Sequence, residues 1–182
     1  MDRRLIPGWR AWPIAVLAGA ALTVPTSAHG ATWAVNDTVD TPVGQSCPGF
    51  TNCSLREAVT STEANPGADA ILVSAPGTYV LTNGQLSVTQ DLEVSRVGAG
   101  SVTISGSNAS RIFDVSASGA DLSLRFMTLT DGREAGPGPS YGGAIRGAAG
   151  TTITIGSTSV SDSDVVAEVT RHCDWRITEI VG

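Results

Sequence analysis

The segment Leu92-Glu93-Val94-Ser95-Arg96-Val97 is echoed by Leu122-Ser123-Leu124-Arg125-Phe126-Met127 and again by Ile153-Thr154-Ile155-Gly156-Ser157-Thr158, with starts 30 and 31 residues apart. The copies alternate apolar and polar residues, the period of a strand with one buried face. A second alternation closes each block, in Val102-Thr103-Ile104-Ser105, Met127-Thr128-Leu129-Thr130 and Thr158-Ser159-Val160-Ser161. Arg111-Ile112-Phe113 and Gly143-Ala144-Ile145 also lie about one period apart. A unit of this length made of strands and turns cannot bury its apolar face alone, whereas stacked units share a continuous core. The repeat therefore predicts an all-β solenoid in which each unit wraps once and alternate residues point inward. With three Phe and two Tyr in 182 residues, its core has to be built from Val, Ile and Leu.

Between residues 70 and 160 the chain reads as short strands at 71–73, 79–81, 92–94, 102–104, 112–115, 122–129 and 151–155, separated by Gly, Asn, Ser and Pro. Upstream, residues 32–36 read as a strand. Ser54-Leu55-Arg56-Glu57 has the S-x-x-E spacing of a capping box, in which the Ser54 hydroxyl accepts from the Glu57 amide and the Glu57 carboxylate accepts from the Ser54 amide. A helix is expected over 55–64, stopped by Asn65-Pro66-Gly67. A solenoid leaves strand edges and apolar core open at its ends, and this helix is placed to close the first of them. Ser54, Arg56 and Glu57 are accordingly read as structural residues.

The first 30 residues read as a secretory signal peptide. Arg3, Arg4 and Arg10 precede an apolar run over 11–22, and small residues at Ala28 and Gly30 offer cleavage after either. The run is shorter than the roughly 20 residues a bilayer span needs. Cleavage after Gly30 leaves 152 residues, enough for one domain, with eight Arg, sixteen Asp and Glu and no Lys, a formal charge of −8. This acidity speaks against nucleic acid or anionic lipid as a partner. No second apolar stretch follows, so no transmembrane anchor is expected after cleavage. Export places Cys47, Cys53 and Cys173 in an oxidising compartment. Cys47 and Cys53 flank a turn-rich loop and are expected to pair, leaving Cys173 without a partner. The pair, with no histidine nearby, does not supply four metal ligands.

Cys53-Ser54-Leu55-Arg56-Glu57-Ala58 resembles the motif that names the CSLREA-domain proteins. Trp33-Ala34-Val35-Asn36, Ala68-Asp69-Ala70-Ile71-Leu72-Val73 and Pro76-Gly77-Thr78-Tyr79 look like that family's opening strand and first coil, and Tyr141-Gly142-Gly143-Ala144-Ile145 is similar to an element of polymorphic outer-membrane repeats. The likeness covers residues 31–162. It implies a right-handed parallel β-helix of the pectate-lyase-like type, exported to the surface or beyond, and no known reaction. With the repeat it divides the chain into a signal peptide (1–30), an N-terminal cap (31–69), about four coils (70–163) and a divergent tail (164–182).

Polysaccharide hydrolysis on such a fold needs clustered acids. Here Asp91, Asp114, Asp121 and Asp131 occur singly, Asp131-Gly132 reads as a turn, and Asp114 is the acid placed to stack with acids of other coils. Ser161-Asp162-Ser163-Asp164 reads as a solvated turn or helix start rather than a Ca²⁺ loop. No catalytic residue, cofactor site or metal site is therefore assigned. The expected function is a non-catalytic envelope or extracellular module, acting as scaffold or adhesin or binding a glycan or protein. The alternatives are a carbohydrate-active enzyme and a truncated remnant of a larger surface protein. In the tail, Val166, Val169, Cys173, Ile177 and Ile180 fall on one helical face, so the tail reads either as a C-terminal capping helix or as an arbitrary end.

Overall fold

The computed structural model describes residues 30–42, 44–47, 52–134 and 143–161. Residues 1–29 of the expected signal peptide, Tyr141-Gly142 and the tail from 162 onward lie outside the described residues. The elements begin with β1 (Thr32–Val35), α1 (Leu55–Glu63), β2 (Asp69–Val73), β3 (Gly77–Val80), β4 (Leu86–Val88), β5 (Leu92–Arg96) and β6 (Val102–Ser105). They continue with β7 (Phe113–Val115), β8 (Asp121–Arg125), β9 (Thr128–Thr130), β10 (Ile145–Gly147), β11 (Thr152–Gly156) and β12 (Ser159–Ser161). Strands and one helix make this an all-β chain, as the alternation predicts.

The strands form three sheets, ordered β1-β2-β5-β8-β11, β3-β6-β9-β12 and β4-β7-β10. Every described strand pairing is parallel. From β2 onward the chain visits the five-, four- and three-stranded sheets in the same cyclic order. Register follows the sequence repeat. Leu92 pairs with Leu122 and Leu122 with Ile153, while Thr103 pairs with Thr128 and Thr128 with Ser159.

These registers stack like residues into inward ladders. Ile71, Val94, Leu124 and Ile155 form one; Tyr79, Ile104, Leu129 and Val160 form another; Leu86, Phe113 and Ile145 form a third. Most of these residues are buried in one continuous core. Fully burying such side chains contributes roughly 1.5–3 kcal/mol each, which explains how short strands hold without many aromatics.

The corner after the five-stranded sheet uses a left-handed residue twice at matching places, Phe126 at φ 60° and Ser157 at φ 48°. A non-glycine residue there is uncommon, and its recurrence one repeat apart marks the corner as a built feature. The three-residue strands β4 and β10 were not among the expected strands. At the other end, α1 packs on β1, β2 and β4, and its Leu55, Ala58 and Val59 join the core. The helix therefore lies against β1 and β4, the edge strands of the five- and three-stranded sheets.

Candidate functional site

The cap begins with the helix start. The Ser54 hydroxyl accepts from the Glu57 amide at 3.2 Å, and Glu57 Oε2 accepts from the Ser54 amide at 2.9 Å. Both halves of the expected capping box are present. Cys47 and Cys53 are bonded, with their Cα atoms 5.0 Å apart. The Asn36 and Asp37 amides both donate to the Cys53 carbonyl, so the bridge and β1 brace the same point.

Arg56 projects from the first helical turn toward Asp40 in the loop after β1. Its Nε donates to Asp40 Oδ1 at 2.6 Å and its Nη2 to Oδ2 at 3.2 Å, a forked pair. The same guanidinium donates to the carbonyls of Gly84 and Gln85 at 2.5 and 3.0 Å. Asp40 also accepts from the Thr82 and Asn83 amides. Burial pushes the Asp40 carboxyl up, but the hydrogen bonds from Arg56, Asn83 and Thr82, with the guanidinium charge, outweigh this and hold it below its ordinary value. One carboxylate and one guanidinium thus join helix, loop and the approach to β4.

The Gln85 side chain carries the network onto the three-stranded sheet. Its Nε2 donates to Asp114 Oδ2 at 2.8 Å, and its Oε1 accepts from Arg111 Nη1 at 3.0 Å. Arg111 Nη2 lies 3.1 Å from Glu134 Oε1. Asp114 and Arg111 are both buried. Asp114 points outward from β7, where the register sets it between Ser87 and Arg146. Its Oδ1 is buried with no hydrogen-bond partner, and it lies 3.8 Å from both Arg111 Nη1 and Arg146 Nε. The sequence places Asp114 to stack with acids of other coils; the column instead holds Ser87 and Arg146. The participation of Gln85, Arg111 and Glu134 was missed. Gln85 and Asp114 are 29 residues apart, but the register pairs Asp114 with Ser87, so the period does not align them.

Of the other single acids, two serve the backbone and one a side chain. Asp91 Oδ1 accepts from the Asp121 amide at 2.9 Å, and Asp121 Oδ1 accepts from the Thr152 amide at 3.0 Å. Each aspartate thereby ties its corner to the corner one repeat later. Asp131 stands at φ 53° and its Oδ2 accepts from Ser105 at 3.1 Å, in keeping with a turn. Among the described residues no three or more His, Cys, Asp or Glu are grouped to hold a metal ion, and no helix is long and apolar enough to cross a membrane.

Comparison of the chain with family models, with curated proteins and with solved structures found no match.

Proposed function

We propose that this chain is an exported, non-catalytic module built as a right-handed parallel β-helix of about four coils, acting as a surface scaffold or adhesin that binds an extracellular glycan or protein. The observation that carries the architecture is the unchanging order in which successive strands join the three parallel sheets, with like residues in register about 30 residues apart. Parallel crossovers are right-handed in about 98% of cases, which supports the handedness. Residues 31–69 form the cap and 70–163 the coils. The resemblance to CSLREA-domain proteins supports export, as do the basic start and apolar run of the leader.

Binding is placed at Gln85, Arg111, Asp114, Glu134 and Arg146. The two guanidiniums and two carboxylates balance in charge, which suits a neutral polyhydroxyl chain better than an anionic one. Arg146 is 57% exposed and presents donors beside the Asp114 oxygen that accepts no hydrogen bond. The test is a glycan and protein binding array probed with residues 31–182. Binding to a neutral glycan that Arg146→Ala weakens supports the reading; a full array without a hit removes the binding role. A second reading, a carbohydrate-active enzyme, is favoured by that same Asp114 oxygen and is tested by product release from pectic, uronic and neutral glycans.

A further inference from the structure

The inward ladder Leu92, Leu122, Ile153 is continued on β2 by an aspartate, because Asp69 pairs with Leu92. Asp69 is 3% exposed, in a position that later repeats fill with aliphatic side chains. A carboxylate buried there is costly unless paired. Its Oδ1 accepts from Asn65 Nδ2 at 2.9 Å and from the Ala31 amide at 2.5 Å. Its Oδ2 is buried and has no hydrogen-bond partner. Among the described residues no arginine forms an ion pair with it.

We propose that the missing cation is the α-ammonium group of Ala31, created when the leader is cut between Gly30 and Ala31, and that Asp69 is the built-in receptor for this new N-terminus. The inference rests on the export reading above. Hydrolysis by the endopeptidase of the export route adds water across the Gly30–Ala31 amide. The Gly30 carboxylate leaves with the leader, and the Ala31 nitrogen becomes an ammonium at neutral pH. Where the uncut chain offers one N–H at 2.5 Å from Oδ1, the cut chain offers three donors and a positive charge. These satisfy Oδ2 as well as Oδ1.

Two further features fix the cut at this bond rather than after Ala28. The carbonyl of Ala31 already accepts from the Ala70 amide at 2.9 Å, so sheet pairing begins at this residue. A Cβ on residue 30 falls 1.6 Å from the Ala68 carbonyl oxygen, so glycine alone fits there in the uncut chain. Cleavage after Ala28 leaves His29 as the terminus and Asp69 still without a counter-ion.

The chain contains no lysine, so after cleavage the α-amine is its sole primary amine and amine acylation reads it directly. The experiment uses residues 31–182 with a free Ala31 amine, the same chain retaining Gly30, and Asp69→Asn in the first. Export-competent full-length chain is sequenced from its N-terminus in parallel. In the folded Ala31 chain the amine is expected to acylate roughly tenfold more slowly than in the urea-unfolded chain, as the pairing holds it protonated. Asp69→Asn restores the fast rate, and the chain retaining Gly30 loses the protection and melts several degrees lower. Should Asp69→Asn fail to fold, the comparison between the Ala31 and Gly30 chains decides alone. An amine that reacts equally fast in the folded and unfolded Ala31 chain overturns the ion pair, whatever the exported terminus. A mature terminus at His29 overturns the cleavage assignment, and an uncut leader overturns the export reading; neither outcome depends on the acylation rates.

Discussion

Arg56 Nε and Asp40 Oδ1 lie 2.6 Å apart with neither side chain more than 5% exposed, so the capping helix is locked to the loop after β1 by a buried, forked ion pair. Removing one partner leaves the other charged and buried. Arg56→Ala is therefore expected to destabilise the fold by about 3–5 kcal/mol, a large share of the 5–15 kcal/mol that holds a typical domain. Arg56→Lys recovers only part of this, since a single ammonium cannot serve both Asp40 and the Gly84 and Gln85 carbonyls in a planar fork. Urea titration of the two variants checks both statements. Full recovery by Arg56→Lys would show that charge alone is at work, and equal loss in the two would show that the planar fork is everything.

The same pair sets the acid limb of the stability profile. The Asp40 carboxyl is held below 3.8 in the folded chain, so its ionised form favours folding. That stability is complete above the unfolded value and is lost as pH falls through the folded one. At the other limit, burial first and the Asp37 charge second push the Tyr79 phenol from 10.0 up to about 12. The phenol donates to the Ala75 carbonyl at 2.7 Å, a bond its ionised form cannot make. Its contribution is complete below pH 10 and is lost as pH rises toward about 12. Asp40→Asn should flatten the acid loss and Tyr79→Phe the alkaline loss, each read as melting temperature against pH.

Cys47 and Cys53 close a loop with a sequence separation of 6. Reducing this bridge should lower stability by roughly 2–3 kcal/mol on loop-closure grounds. Thiol counting on the exported, unfolded protein should find one reactive thiol, from Cys173. Three reactive thiols without reductant would refute the pairing.

Much of this fold is legible in the sequence, because one rule is repeated. The aliphatic positions Leu92, Leu122 and Ile153 were aligned from the sequence and are ladder neighbours. The capping box at Ser54 and Glu57 was equally plain, since its chemistry is local. What the sequence hid are contacts between residues of different type. Nothing in the letters says that Arg56 meets Asp40, 16 residues away in a loop. Asp69 stands in a Leu position of the repeat, and an aspartate there reads as a break in the pattern until its depth is known. The network of Gln85, Arg111, Asp114 and Arg146 mixes amide, acid and base, so self-similarity could not reveal it.

Asp114 separates the two functional readings. If the column binds a glycan without reacting, Asp114→Asn should weaken binding by about tenfold, the worth of one hydrogen bond to a charged group. The native protein should release no product from pectic, uronic or neutral glycans, with or without Ca²⁺. Product release by the native protein that Asp114→Asn abolishes would instead make the chain an enzyme.

In the proposed β-helix about 30 residues make one closed turn. Ser123 and Thr154 are register partners on the outward face of β8 and β11, so their Cα atoms are expected about 4.8 Å apart, within the range a disulfide spans. Ser123 and Thr128 are far closer in sequence, yet they belong to different sheets. The measurement is oxidative cross-linking of Ser123→Cys with Thr154→Cys, and separately of Ser123→Cys with Thr128→Cys, both with Cys173→Ser. A β-helix closes the 123–154 pair rapidly in the folded protein and leaves the 123–128 pair open. A folded protein in which 123–154 stays reduced while 123–128 closes would contradict it.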